Sequence, residues 1–210
     1  MVVAIDGPSG TGKSTIAKKI AEKYNIAFLY SGSFYRGSTL AVLRAGIKVD
    51  VEKSILELIN NVEFDYVNEH LVLNGEDVEH LLHSSDVDLN AAKVSCIPAL
   101  RSLINEKLQS ITSKISFVCE GRDMTTVVFP NAEHKFYLDA SVDVQAERRF
   151  LQRPEGKTLE EIKQDIIKRD EIDRNKAVGA LKISKDSQYI DTTYLTIDEV
   201  CAIIENKIYN

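Results

Sequence analysis

The sequence predicts an α/β protein: a five-stranded parallel sheet flanked by helices, with one small insertion of different character. Three observations predict it. Short apolar runs of strand length alternate with stretches of helical periodicity, the first apolar run ends in a glycine-rich turn that opens a helix, and one segment alternates apolar and polar residues instead.

The elements follow in order. "VVAI" (2–5) is bounded by the glycine turn and reads as a buried strand. "TIAKKIAEKY" (15–24) places Ile16, Ile20 and Tyr24 on one helical face. "AFLY" (27–30) is a second strand, followed by the loop "SGSFYR" and a helix from about Phe34 to Ala45. "IPALRSLINEKLQSI" (97–111) is an amphipathic helix, and "ISFVCE" (115–120), "KFYLDA" (135–140) and "SQYID" (187–191) complete the sheet. Further helices cover about 142–152, 159–176 and 196–208. The exception is "NNVEFDYVNEHLVLNGEDVEHLL" (60–82), whose alternation and Asn74-Gly75 pair signal a hairpin, with a short helix at about 85–94 after it. It reads as a subdomain built on the main sheet.

A chain of 210 residues suits one large domain, and 44% hydrophobic with 28% charged residues describes an ordinary soluble protein. The net charge of −6 offers no basic footprint for nucleic acid or an anionic membrane, so positive charge for an anionic ligand must be gathered locally. "MVVAIDGPSG" lacks the basic and apolar regions of a signal peptide, and the apolar runs fall short of a roughly 20-residue span. Cys96, Cys119 and Cys201 lack C-x-x-C spacing, which suits a reducing cytoplasm, and His70, His80, His83 and His134 match no metal pattern. No period of about 20–50 residues repeats.

In an open parallel sheet, ligands bind beyond the carboxyl ends of the strands. "GPSGTGKST" follows the first strand, and Gly7, Gly12, Lys13 and Ser14 satisfy G-x-x-x-x-G-K-[ST] between strand and helix, the P-loop of the nucleoside triphosphatase fold. Its glycines let backbone N–H groups turn toward phosphate oxygens at a helix N-terminus. Gly7, Pro8, Ser9, Gly10, Thr11, Gly12, Lys13, Ser14 and Thr15 therefore form the expected ATP site, with Lys13 on the β- and γ-phosphates and Ser14 on Mg²⁺. The dinucleotide pattern G-x-G-x-x-G and the GTPase N-K-x-D pattern are absent, and the chain is short for a motor. "SGSFYR" and "GRDMTT" follow two other strands and bring Arg36 and Arg122, whose planar donors suit an acceptor that itself carries a phosphate. Asp123 accepts from a base or ribose, or orients its neighbour.

"TLEEIKQDIIKRDEIDRNK" opens with a capping-box pair, Thr158 and Glu161. Ile162, Ile166, Arg169, Asp173 and Lys176 form one stripe that begins apolar and becomes charged, as in a helix running from core into a cleft or simply into water. Upstream, "ERRFLQRPEGKT" gathers Arg148, Arg149, Arg153 and Lys157 around a Pro-Glu-Gly break. This is a candidate lid, with Arg149 and Arg153 meeting the charge of a transferring phosphoryl group.

The ordered set "GPSGTGKST", "SGSFYR", "LNGEDV", "GRDMTTVVFP", "LDAS", "RDEIDRNKAV" and "DTTYLTIDEV" resembles the bacterial-type cytidylate kinases, from Val2 to Tyr209. The resemblance implies transfer of the ATP γ-phosphate to CMP or dCMP with Mg²⁺; the chain is expected to be a cytoplasmic monomer. Its implied parts are a core of about 1–60, 95–150 and 177–210, a monophosphate-binding insertion of about 61–94, and a lid of about 148–160. It implies an acceptor site lined by Ser31, Arg36, Arg101, Arg122, Asp123, Arg169, Asp173 and Lys176. Arg36 and Arg122 are assigned to the phosphate, Arg101 and Asp123 to the base edge, and Arg169 and Asp173 to the ribose.

Four positions depart from the family pattern: Tyr30 for an aspartate, Ala92 for a base-contacting serine, Thr125 for the glycine of GRDMGT, and Lys176 for an arginine. One lost hydrogen bond at a base pocket costs about 1–3 kcal/mol of discrimination. Ser95, one turn from Ala92, is a candidate to compensate. A kinase for another acceptor such as UMP, or a non-catalytic nucleotide-binding module, is the alternative.

Overall fold

The computed structural model describes residues 1–152 and 156–209. Eight strands and eight helices alternate as β1 (Val2–Asp6), α1 (Lys13–Tyr24), β2 (Ala27–Tyr30), α2 (Ser31–Arg44), α3 (Glu52–Asn60), β3 (Phe64–Val67), β4 (His70–Leu73), β5 (Glu76–Asp77), α4 (Ser85–Val94), α5 (Pro98–Thr112), β6 (Phe117–Gly121), β7 (His134–Asp139), α6 (Val142–Gln152), α7 (Leu159–Asn175), β8 (Gln188–Asp191) and α8 (Ile197–Tyr209), counted among the described residues. Two compact units result, Met1–Phe28 with Ser116–Asn210, and Leu29–Ile115.

The main sheet has five strands in the order β2-β6-β1-β7-β8, and β1 pairs in parallel with both β6 and β7. Val3 lies opposite Val118 on one side and His134 on the other, so β1 is the central strand. That position explains why its sequence is continuously apolar: Val3, Ala4 and Ile5 have helices or sheet on every side and are fully buried. Helix α1 packs Ile16, Ala17 and Ile20 inward over β6 and meets α8. Helices α6 and α7 pair through Ala146, Ile162, Ile166 and the partly buried Val142. Thr158 caps α7 in the expected box, its hydroxyl accepting from Glu161 N at 3.3 Å while its own N–H reaches Glu161 Oε2 at 2.7 Å.

The unit spanning Leu29–Ile115 holds a three-stranded antiparallel sheet, β3-β4-β5. The Asn74-Gly75 turn joins β4 to β5 with both residues at positive φ, as expected. The β3–β4 turn uses Asn68 and Glu69, also at positive φ, and carries no glycine to announce it. Phe34 of α2 stacks on Phe64 and Tyr66 with ring centroids 6.0 and 5.8 Å apart. Helix α3, which buries Ile55 and Ile59, has no counterpart among the expected elements.

"SGSFYR" is not a loop. Helix α2 begins at Ser31, directly after β2, and Ser31, Ser33, Phe34 and Tyr35 are buried in its first turns. Arg36 therefore sits on the second turn of a helix and not at a strand end.

Candidate active site

In the first unit the P-loop leaves β1 and opens α1. Gly7 and Gly10 have positive φ, and both are closely packed: a Cβ at Gly7 would strike the Leu138 carbonyl, and one at Gly10 would lie 2.9 Å from the Gln145 carbonyl. The loop is thus pressed between β7 and α6, which fixes its shape. Helix α1 has Gly12 at its N-cap with no side-chain cap, so its first N–H groups are left for an anion.

Lys13 lies inside this loop, 5% exposed. Its Nζ donates to Pro8 O at 2.5 Å and Thr11 Oγ1 at 3.4 Å. Burial, helped by the Arg122 charge, pulls its pKa down to about 7 against the pull of Glu120, Asp6 and Asp170. Ser14 Oγ donates to Glu120 Oε1 at 2.7 Å, and Thr15 is exposed on the next position. Two hard oxygens so close, at the end of a phosphate loop, form a donor set that suits a divalent cation shared with phosphate oxygens. Thr11 O accepts from Thr192 Oγ1 at 3.4 Å, and Thr192 in turn holds Arg148, whose Nη1 and Nη2 reach its hydroxyl and carbonyl at 3.0 and 2.7 Å. Arg148 therefore ties α6 to the segment after β8.

Beyond β6, the "GRDMTT" segment forms a wide helical turn over residues 124–128. Asp6, the last residue of β1, accepts from Met124 N at 2.9 Å, Thr125 N at 2.7 Å and Thr125 Oγ1 at 2.6 Å. Burial nevertheless raises its pKa to about 6. Asp123 is buried, and its carbonyl accepts from Val127 and Val128. Arg122 Nε donates to Asp173 Oδ2 at 2.8 Å, and Lys176 Nζ to Asp173 Oδ1 at 2.6 Å. Burial is the largest influence on Asp173 and pushes upward, but the two cations outweigh it and hold the carboxyl at about 2.

The charged stripe of α7 runs one position off its expected course. Ile162 and Ile166 are buried as expected, but the buried face continues through Asp170 and Asp173, while Arg169 is exposed. Arg169 lines a cleft of about 100 Å³ with Ser9, Arg149, Lys157, Ile162, Asp165 and Ile166. Lys157 pairs with Asp165 at 2.8 Å. Arg153 lies outside the described residues, as do Pro154 and Glu155 of the expected lid.

In the second unit, Ser31 is buried at the start of α2. Arg36 Nη1 donates to Leu82 O at 2.9 Å and pairs with Asp88, so α4 and the turn before it hold its head. Arg101, 3% exposed, lies with its Cζ 4.9 Å from the Tyr35 ring centroid, and its Nη1 donates to Ser95 O at 3.2 Å. Tyr35 Oη reaches Asn105 Oδ1 at 3.4 Å. Of the histidines, His70 pairs with Asp77 on the small sheet at 2.6 Å.

The cytidylate kinase family model matches residues 3–210. The chain belongs to the cytidylate kinase family. It is 41% identical to the cytidylate kinase of Borreliella burgdorferi strain ZS7 over 99% of this chain and 96% of that one. It is 43% identical to that of Borrelia hermsii, covering 97% and 96%, and 37% identical to that of Mycoplasma capricolum, covering 100% and 96%. Among solved structures, an uncharacterised protein from Eubacterium ventriosum aligns with a TM-score of 0.54 at 16% identity, over 100% of this chain and 99% of that one. A shikimate kinase from Bacteroides thetaiotaomicron aligns at 0.50 and 14%, with the same coverage. These two likenesses show the fold alone.

Against the family pattern, the four departures now have surroundings. The Tyr30 ring lies over Gly32, where an added Cβ would sit 2.5 Å from the ring. Thr125 gains a hydroxyl bond to Asp6 that a glycine lacks. Lys176 keeps a cation on Asp173. Ala92 is exposed on α4, and Ser95, the candidate to compensate, already donates its hydroxyl to Ala92 O at 3.0 Å. Asp6, Glu120, Asp170, Tyr35 and Asp88, none of them singled out by the sequence, hold the expected site residues, the phosphate loop or the segment after β6 in place. Asp6 and Glu120 had a usable signal, since each is an acidic residue ending or nearly ending an apolar strand on the ligand side.

Proposed function

We propose that this chain transfers the γ-phosphate of ATP to CMP or dCMP, giving ADP with CDP or dCDP. What carries the reading is the intact phosphate loop around Lys13 in a chain that matches the cytidylate kinase model over residues 3–210.

An oxygen of the acceptor phosphate attacks the γ-phosphorus, and the bond to the β–γ bridging oxygen breaks in line with it. The acceptor oxygen is already anionic, so no general base is required. Lys13 and the first N–H groups of α1 hold the β- and γ-phosphates. Ser14, with Glu120 behind it, is assigned to Mg²⁺, which supplies charge neutralisation to the phosphates when bound. Among the described residues no group of three or more His, Cys, Asp or Glu is arranged to hold a metal.

Within the first unit, Arg122 is assigned to the acceptor phosphate, with Asp173 fixing its guanidinium by the Nε side and the Gly121 carbonyl accepting from Nη1 at 3.3 Å. Asp123, Arg169, Asp173 and Lys176 are assigned to the rest of the acceptor, and Arg149 and Arg153 to the transferring group. Within the second unit, taken by itself, Ser31, Arg36 and Arg101 are assigned to the acceptor. We place the chain in the cytoplasm as a monomer with two small-molecule substrates. Its net charge of −6 speaks against nucleic acid as a partner; no described helix is long and apolar enough to cross a membrane.

The test is coupled ADP release with CMP, dCMP and UMP side by side. Transfer to the cytidine nucleotides, lost in Lys13→Ala with the fold retained, is the expected result. Equal rates with all three would remove the cytosine preference, and no transfer would remove the reaction.

A further inference from the structure

The second half of α7 is attached to its unit in an unusual way. Its first half packs Ile162 and Ile166 against Ala146 and Val142 of α6, an ordinary apolar contact. One turn further on, the buried positions are Asp170 at 7% and Asp173 at 5% exposure, and no apolar side chain of α7 is buried there. The attachments are polar instead: Asp170 Oδ1 accepts from Ser9 N at 3.1 Å, Asp173 Oδ2 from Arg122 Nε at 2.8 Å, and Asp173 O from Leu181 N at 2.8 Å.

A carboxylate is a costly group to bury against a neutral backbone N–H, and an apolar residue would serve plain packing better. Burial indeed raises the Asp170 pKa, with the Ser9 N–H, Arg122 and Lys13 pulling the other way. What the carboxylate does achieve is a direct link from α7 to the phosphate loop. Gly7 and Gly10 of that loop are already pinned by β7 and α6, and Asp170 supplies a further hold at a residue between them. The flanking residue Arg169 lines the same cleft as Ser9, and Asp173 follows one turn later.

We propose that Asp170 is a positioning residue that couples the two nucleotide sites: its bond to Ser9 N ties the end of α7, which carries Arg169 and Asp173, to the phosphate loop, so that an acceptor gripped by those two residues steadies the loop for ATP. The inference rests on the reading of Arg169 and Asp173 as acceptor ligands. It requires positive coupling, because a loop ordered by one ligand no longer has to be ordered by the other. Coupling is reciprocal, so ATP tightens CMP binding by the same factor that CMP tightens ATP binding.

The experiment is calorimetric titration of the full chain with CMP and with a non-hydrolysable ATP analogue, each alone and each in the presence of the other. In the wild type each nucleotide tightens the other by about fivefold or more. In Asp170→Ala the factor falls to below about twofold, while CMP alone binds within about threefold of wild type. Asp170→Asn keeps an acceptor oxygen for Ser9 N and retains most of the coupling, which an effect of general destabilisation would not do. Glu171→Ala, an exposed change on the same helix, leaves the factor unchanged. A wild type without positive coupling, or an Asp170→Ala chain with the wild-type factor, overturns the proposal. A wild type that binds the ATP analogue but no CMP overturns the functional reading, and the coupling falls with it.

Discussion

Arg122 and Asp173 are joined by a 2.8 Å bond between groups largely withdrawn from water, with side-chain exposures of 19% and 7%. Lys176 closes the other oxygen of Asp173 at 2.6 Å, so one carboxylate balances two cations. Removing its charge leaves Arg122 and Lys176 facing each other without compensation. Asp173→Asn is expected to raise the acceptor KM at least tenfold and to leave the ATP KM within about threefold, as measured by steady-state ADP release.

The same carboxylate makes a prediction about acid. Its pKa in the folded protein, about 2, lies below the ordinary 3.8. Its contribution is therefore fully present above about pH 4 and is lost as pH falls toward 2, and amounts to about 2 kcal/mol. Urea unfolding of wild type and Asp173→Asn should differ most above pH 4, and the difference should shrink by pH 2–3.

Asp6 behaves with the opposite sign. Burial holds its pKa at about 6, so the folded state favours the protonated form and the penalty is fully felt above pH 6. The Thr125 hydroxyl opposes that penalty at 2.6 Å. Thr125→Val should lower stability by about 1–3 kcal/mol at pH 8, since a charge-assisted bond to a buried group is lost. Most of that loss should vanish at pH 5, where Asp6 is protonated, and thermal unfolding at the two pH values decides it.

The parallel sheet, the phosphate loop and the Asn74-Gly75 turn are legible in the sequence because each has a local cause. Buried strands are apolar throughout, the loop needs glycine where β7 and α6 press on it, and the turn needs positive φ. Helix α2 is not legible at its start, because Ser31-Gly32-Ser33 reads as loop chemistry and only burial against its own unit makes it helical. The β3–β4 turn hides for the reverse reason, with Glu69 held at positive φ by the pairing around it. Asp170 was missed because positions three and four after Ile166 share its face equally well. Tertiary contact with Ser9 selects the second, and no periodicity carries that information.

Arg101 is steadied from two sides, by the Tyr35 ring and by the Ser95 carbonyl. Replacing the ring with an aliphatic side chain keeps the bulk and removes the quadrupole that attracts the cation, an interaction worth about 1 kcal/mol. Tyr35→Leu is thus expected to raise the CMP KM by about three- to tenfold with the ATP KM unchanged. An equal rise in both would show that the ring supports the unit's packing and not Arg101.

Lys13 supplies a signature that does not depend on turnover. Burial, the largest influence, brings its pKa to about 7, so at pH 8 it is mostly neutral. A triphosphate arriving beside Nζ stabilises the charged form and raises that pKa again. ATP binding at pH 8 should therefore take up close to one proton, and at pH 6, where Lys13 is already protonated, this contribution should be small. Calorimetric titration in buffers of different ionisation enthalpy measures the uptake directly. Lys13→Met should abolish the pH 8 uptake even where residual ATP binding survives, and an unchanged uptake in that variant would assign the proton to another group.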